Sequence, residues 1–145
     1  MKHRAPAFAL SLVLFFNVST TAQQANHVST AESTAIEATV RNYIQAYYTG
    51  DPHRMEQTLH PHYLKHMIHG DIPMREKTGP QMLKEVGSGP SSQPQAEKTE
   101  QVTVLDIAGE IASAKLVTPG WVDYMTLSKW NGEWKILSVV QRIDD

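Results

Sequence analysis

Apolar positions recur along this chain in two rhythms, and each predicts a kind of element. Between Ala31 and Thr49, the residues Ile36, Val40, Tyr43, Ile44 and Tyr47 fall on one stripe at helical spacing. Ser29 or Thr30 can cap the start of that helix, and Gly50 is placed to end it at C′. Asp51-Pro52 then opens a second helix, with Asp as N-cap and Pro at N1. It runs to about Leu59, buries Met55 and Leu59, and is closed by Pro61. Thr78 or Gly79 with Pro80 starts a short third helix that buries Met82, Leu83 and Val86 and stops at Gly87. From Glu100 onward the period shortens to two. Strands are predicted over Glu100 to Ile107 and Ile111 to Val117, with turns at Gly109-Glu110 and Pro119-Gly120. The stretch Trp121 to Arg142 closes the series as a hairpin around Asn131-Gly132, two residues that accept the positive φ of a type I′ turn.

In the second arm of that hairpin, strict alternation puts Trp134, Ile136, Ser138 and Val140 on one face. Lys135, Leu137, Val139 and Gln141 take the other, so both faces carry apolar residues. A strand with water on one side alternates cleanly. The pattern therefore predicts cover on both faces: the chain's own helices on one, a second copy on the other, giving a homodimer through the sheet. Asp71 to Lys77 reads as a loop, and Ser88 to Gln95 as a Gly/Pro/Ser loop, too short for a domain linker.

Residues Pro61 to Gly70 admit two readings. As a strand, Tyr63, Lys65, Met67 and His69 share one face, and His62, Leu64, His66 and Ile68 the other. As a helix, His62, His66 and His69 converge on one side, and i, i+4 imidazoles would suit zinc. A strand separates His62 from His66 by roughly 13 Å, at about 3.3 Å per residue, too far for one ion. Pro61, coming after a finished helix, favours the strand and therefore no metal site.

Composition narrows the class. With 145 residues and 41% hydrophobic content, the chain suits one domain with a real core. The net charge is −2 with dispersed Lys and Arg, so no basic patch points to nucleic acid. There is no cysteine for a disulfide or a thiolate site. Lys2, His3 and Arg4, the apolar run Ala7 to Phe16 and the small residues Thr20-Thr21-Ala22 read as a signal peptide over residues 1–22. The run is shorter than the roughly 20 residues of a membrane span. The mature chain is thus expected to be periplasmic or extracellular, without stable membrane insertion, with 23–30 a disordered start and 31–145 the folded domain.

The order is helix, short helix, strand, helix, then four meandering strands. The segment TVRNYIQAYYTGDPHRMEQTLHPHY resembles the opening of the nuclear-transport-factor-2-like superfamily. LDIAGEIASAKLV and WVDYMTLSKWNGEWKILSVV resemble the later pattern of its branch named for lumazine binding, so the likeness covers residues 33 to 143. It implies an α+β cone-shaped roll, a curved and mainly antiparallel sheet wrapped around three N-terminal helices. It implies little about activity, since the fold hosts enzymes, carriers and interaction modules.

Ketosteroid isomerase, a member of that superfamily, uses a Tyr, a carboxylate base and a protonated Asp. Alignment to it places Tyr43 at the Tyr, Met67 at the base and Thr126 at the protonated Asp, so one role of three is matched. No phosphate loop or nucleophile elbow is present, and no cofactor is expected. The leading expectation is an apolar pocket for a small organic ligand, lined by Tyr43, Tyr47, Met67, His69, Tyr124 and Thr126. The alternatives are a cofactor-independent lyase, isomerase or cyclase with His66, His69 or Asp123 as base, and an interaction module whose pocket is vestigial.

Overall fold

The computed structural model describes residues 19–70 and 72–144, with side chains from Thr30 onward. The helices are α1 (Ser19–Thr49), α2 (Pro52–Glu56) and α3 (Gly79–Val86). The strands are β1 (Leu59–His69), β2 (Ile72–Thr78), β3 (Gln101–Ala108), β4 (Ile111–Thr118), β5 (Trp121–Trp130) and β6 (Glu133–Ile143). They form one sheet in the order β2-β1-β6-β5-β4-β3, antiparallel throughout except where β1 runs parallel to β6. The expected α+β roll is the fold found. The signal-peptide segment lies almost wholly outside the described residues, and 23–30, expected as a disordered start, are helical as part of α1.

The α1 stripe is buried as its spacing predicts: Ile36, Val40, Tyr43 and Ile44 form the core with Met55, Leu116, Leu127, Ile136 and Val139. Gly50 ends the helix in the left-handed region at φ 71°. Asp51 caps α2 by accepting the Arg54 N–H at 2.9 Å. That helix is shorter than expected, because Leu59 already belongs to β1. The ambiguous stretch Pro61 to Gly70 is strand through His69, which rules out the helical convergence of its histidines. His60 instead packs edge-on against Trp130, their centroids 4.9 Å apart.

Two expectations are corrected. Residues 72–78, read as a loop, are strand β2, pairing Lys65 with Lys77 and Met67 with Arg75. As an edge strand exposed along nearly its whole length, β2 needs no apolar alternation, and an edge tolerates Pro73. The face assignment in β6 also changes. Thr126 pairs with Ser138 but Leu127 with Ile136, so Leu137 is the extra residue of a β-bulge. Past the bulge the faces exchange: Trp134, Ile136, Val139 and Gln141 all point inward, and Ser138 and Val140 outward. The two-sided apolar pattern is one inner stripe with a slip in phase, and the argument for a dimer drawn from it falls.

Candidate functional site

A cavity of about 470 Å³ opens between α1, α3 and the concave face of the sheet. Its wall is apolar where Ile44, Met67, Met82, Trp121 and Ile143 face it, and Tyr47 meets Trp121 edge-on at 5.8 Å. Polar groups line the rest: Lys65, Asp123, Gln141 and Tyr43 inside, with Arg75, Lys77 and Glu85 completing the lining from β2 and α3. The expected apolar pocket is therefore a mixed one.

Its floor is built by alternation in two strands. The β1 residues Tyr63, Lys65 and Met67 point inward, and so do Asp123, Met125 and Leu127 of β5. Lys65 is 4% exposed and Asp123 0%, yet their charged groups lie 3.5 Å apart. The Lys65 ammonium also donates to the Tyr43 hydroxyl at 3.2 Å, and Tyr43 lies 3.2 Å from the Tyr63 hydroxyl. The Tyr43 hydroxyl thus accepts from Lys65 and shares a second hydrogen bond with Tyr63, in which either phenol can be the donor. Among the described residues neither carboxylate oxygen of Asp123 has a well-formed hydrogen bond, although Lys65, Gln141 and Trp121 stand close enough to favour its charged form.

Burial dominates the electrostatics. It pushes the Asp123 carboxyl above its usual range, against the pull of Lys65, Gln141 and Trp121. It pushes the Lys65 amine down, against the pull of Asp123. The Tyr43 and Tyr63 phenols both rise, again chiefly by burial. Both members of the ion pair are thus driven towards their neutral forms. At the β2 and α3 side, Lys77 is paired with Glu85. Arg75, exposed, has no ion-pair partner among the described residues.

The structure brings Tyr43, Tyr47, Met67 and Asp123 of the expected residues to this cavity. The others lie elsewhere. His66 is on the outer face, its Nε2 3.1 Å from Glu76. Tyr124 and Thr126 are also outside, Tyr124 being 53% exposed with the Lys115 ammonium 5.6 Å from its ring centre. His69 sits at the end of β1 and does not line the cavity. Sequence reasoning passed over Lys65, Gln141, Trp121 and the Arg75, Lys77 and Glu85 group. Lys65 had a signal: a lone lysine between Tyr63 and Met67 on one face of a predicted strand.

A six-stranded curved sheet folded over three helices with a pocket inside its concavity is the nuclear-transport-factor-2-like architecture. The chain belongs to the family described as "Putative lumazine-binding", which matches residues 31–141. Among solved structures it is similar to an NTF2-like protein of unknown function from Silicibacter pomeroyi DSS-3, with TM-score 0.64 and 16% identity, over 83% of this chain and 98% of that one. A second such protein, from Shewanella baltica OS155, gives TM-score 0.61 and 18% identity, covering 88% of this chain and 99% of that one. A ketosteroid isomerase-like protein from Erwinia carotovora atroseptica SCRI1043 gives 0.55 and 12%, covering 79% and 97%. No curated protein sequence matches the chain. At these identities the likeness establishes the fold.

Proposed function

We propose that this domain binds a small organic molecule in the cavity, its polar end on Lys65, Asp123 and Tyr43 and its flat body between Tyr47, Trp121 and Met82. The observation that carries this reading is the Asp123 carboxylate, fully buried at the cavity floor beside Lys65, with no well-formed hydrogen bond to either oxygen among the described residues. A cavity that existed only for want of packing would be apolar, because an unsatisfied buried polar group costs about 1–3 kcal/mol. Arg75, which lines the cavity and has no ion-pair partner among the described residues, suits an acidic or strongly accepting group on the ligand. Met67 and Met82 line open space and do not fill it, which counts against a vestigial pocket. Lumazine, after which the family is named, is a planar bicyclic heteroaromatic and the first probe to try. A ligand at a hundred times its Kd stabilises by about 2.7 kcal/mol, so a clear rise in Tm is expected with lumazine, or a stoichiometric small molecule in the protein from its own host. A protein that carries nothing and is not shifted by lumazine would remove this reading.

Export is proposed on the N-terminal pattern of Lys2 to Arg4, the run Ala7 to Phe16 and Thr20-Thr21-Ala22. N-terminal sequencing of native protein is expected to begin at or near Gln23. A chain still starting at Met1 ends the export proposal.

Homodimerisation through the outer sheet face is kept on a narrower ground. The register neighbours Tyr124 and Val140 are both exposed there, 53% and 44%, with Ile68 exposed on the next strand. Sedimentation equilibrium at tens of micromolar is expected to show a dimer that Tyr124→Lys with Val140→Lys splits. A monomeric parent protein would end the dimer proposal.

A further inference from the structure

The cavity floor holds an amine and a carboxylic acid at 3.5 Å, with the amine also 3.2 Å from a phenol. An ion pair kept only to join two strands would have its acceptor atoms satisfied, since buried carboxylates normally collect several donors. Here neither oxygen of Asp123 has a well-formed hydrogen bond among the described residues, and of the groups beside it, Lys65, Gln141 and Trp121, only the Lys65 ammonium carries a proton acidic enough to exchange. We infer that Lys65 captures the carbonyl group of a small aldehyde or ketone as an iminium, with Asp123 relaying the proton and Tyr43 positioning the amine. The inference rests on the cavity being a ligand site.

The step balances without any further reagent. The Lys65 ammonium passes a proton to Asp123, leaving neutral amine and neutral acid. Because burial penalises both charged forms, this state lies within reach of the ion pair. The nitrogen lone pair forms a C–N bond to the carbonyl carbon. The carbonyl π electrons move to oxygen, which takes a proton released by that nitrogen to give the carbinolamine. Asp123 then protonates the hydroxyl, the C–O bond breaks, water leaves, and the nitrogen lone pair closes the C=N bond. Ammonium plus carbonyl becomes iminium plus water, with nothing oxidised and the charge unchanged. The iminium takes the place of the ammonium beside the restored carboxylate, so the buried charge balance is kept. Tyr43 holds Nζ by accepting from it, and is itself held by its hydrogen bond with Tyr63.

Limiting benzaldehyde with sodium cyanoborohydride, followed by peptide mapping of the intact chain, tests this. Lys84 is exposed on α3 and serves as the internal reference. Lys65 is expected to be labelled about tenfold faster or more, since each unit by which an amine's pKa falls raises its free-base fraction about tenfold at lower pH. At a pH alkaline enough that the Lys65 amine is free in both proteins, so that only loss of the proton relay is read, Asp123→Asn is expected to slow labelling at Lys65 and leave Lys84 unchanged, and Lys65→Arg to remove the adduct. Labelling of Lys65 no faster than Lys84 in the parent protein overturns the inference, as does an undiminished rate at Lys65 in Asp123→Asn. The Lys65-to-Lys84 ratio is read within one unmodified protein, so it stands even where a variant fails to fold. A Tm rise with lumazine but no preference for Lys65 would leave ligand binding intact and remove the amine chemistry. Preference for Lys65 without any retained or shifting ligand would do the reverse.

Discussion

Lys65→Met and Asp123→Leu, made singly, are each expected to lower stability by about 3–5 kcal/mol, while the two together cost little or nothing. Each single change leaves one buried charge without its partner, in a place where burial already dominates both groups. The double change replaces the pair with apolar side chains of similar size, and the surrounding core is apolar enough to accept them. The two deficits are expected to move oppositely with pH. Asp123 titrates above its ordinary 3.8 in the fold, so between that value and its folded pKa the native state binds more protons than the unfolded state. Its contribution is therefore best at low pH and is lost as pH rises. Removing Lys65 raises the Asp123 pKa further, so the Lys65→Met deficit shrinks on acidification. Lys65 titrates below its ordinary 10.5, and in that window the unfolded state binds the extra proton, so stability rises with pH. The Asp123→Leu deficit accordingly shrinks as the solution is made alkaline. Urea unfolding across pH reads both, the midpoint shifting at constant m. Single-variant deficits that are flat with pH, or a double variant worse than either single one, would show that the pair does not act as described.

Gly50→Ala is expected to destabilise by about 2–5 kcal/mol, from two independent sources. The residue ends α1 at φ 71°, where an L side chain costs about 1–2 kcal/mol. A Cβ there would also lie 2.5 Å from the Gly89 carbonyl carbon and 2.6 Å from the Pro90 nitrogen. Those are backbone atoms, so the loop after α3 must shift bodily, and forced overpacking typically costs a further 1–3 kcal/mol. Gly132, also at positive φ but with open space around it, provides the control. Gly132→Ala is expected to show the conformational cost alone. Equal losses at the two positions, measured by thermal or urea unfolding, would show that the Gly89–Pro90 contact contributes nothing.

Wherever an element's own residues dictated it, the sequence was a sufficient guide. The α1 stripe, the Gly50 stop, the Asp51-Pro52 restart and the Asn131-Gly132 hairpin all follow from local periodicity or turn chemistry, and each stands in the structure. The order of those elements carried the fold and the family. Tertiary structure alone decided the rest. β2 is a strand because β1 offers it an edge to pair with, which no pattern within IPMREKT announces. The bulge at Leu137 arises from register with β5 and reverses the faces of half a strand, so strict alternation misplaced Val139 and Val140. The pocket residues separate in the same way. Periodicity groups Lys65 with Tyr63 and Met67, and Asp123 with Met125 and Leu127, on one face of each of two strands, the two residues 58 apart in the chain, without saying which face is inner. Their meeting at 3.5 Å depends on β6 lying between β1 and β5 and on the curl of the sheet, a relation between strands that period-two reading of either one does not contain.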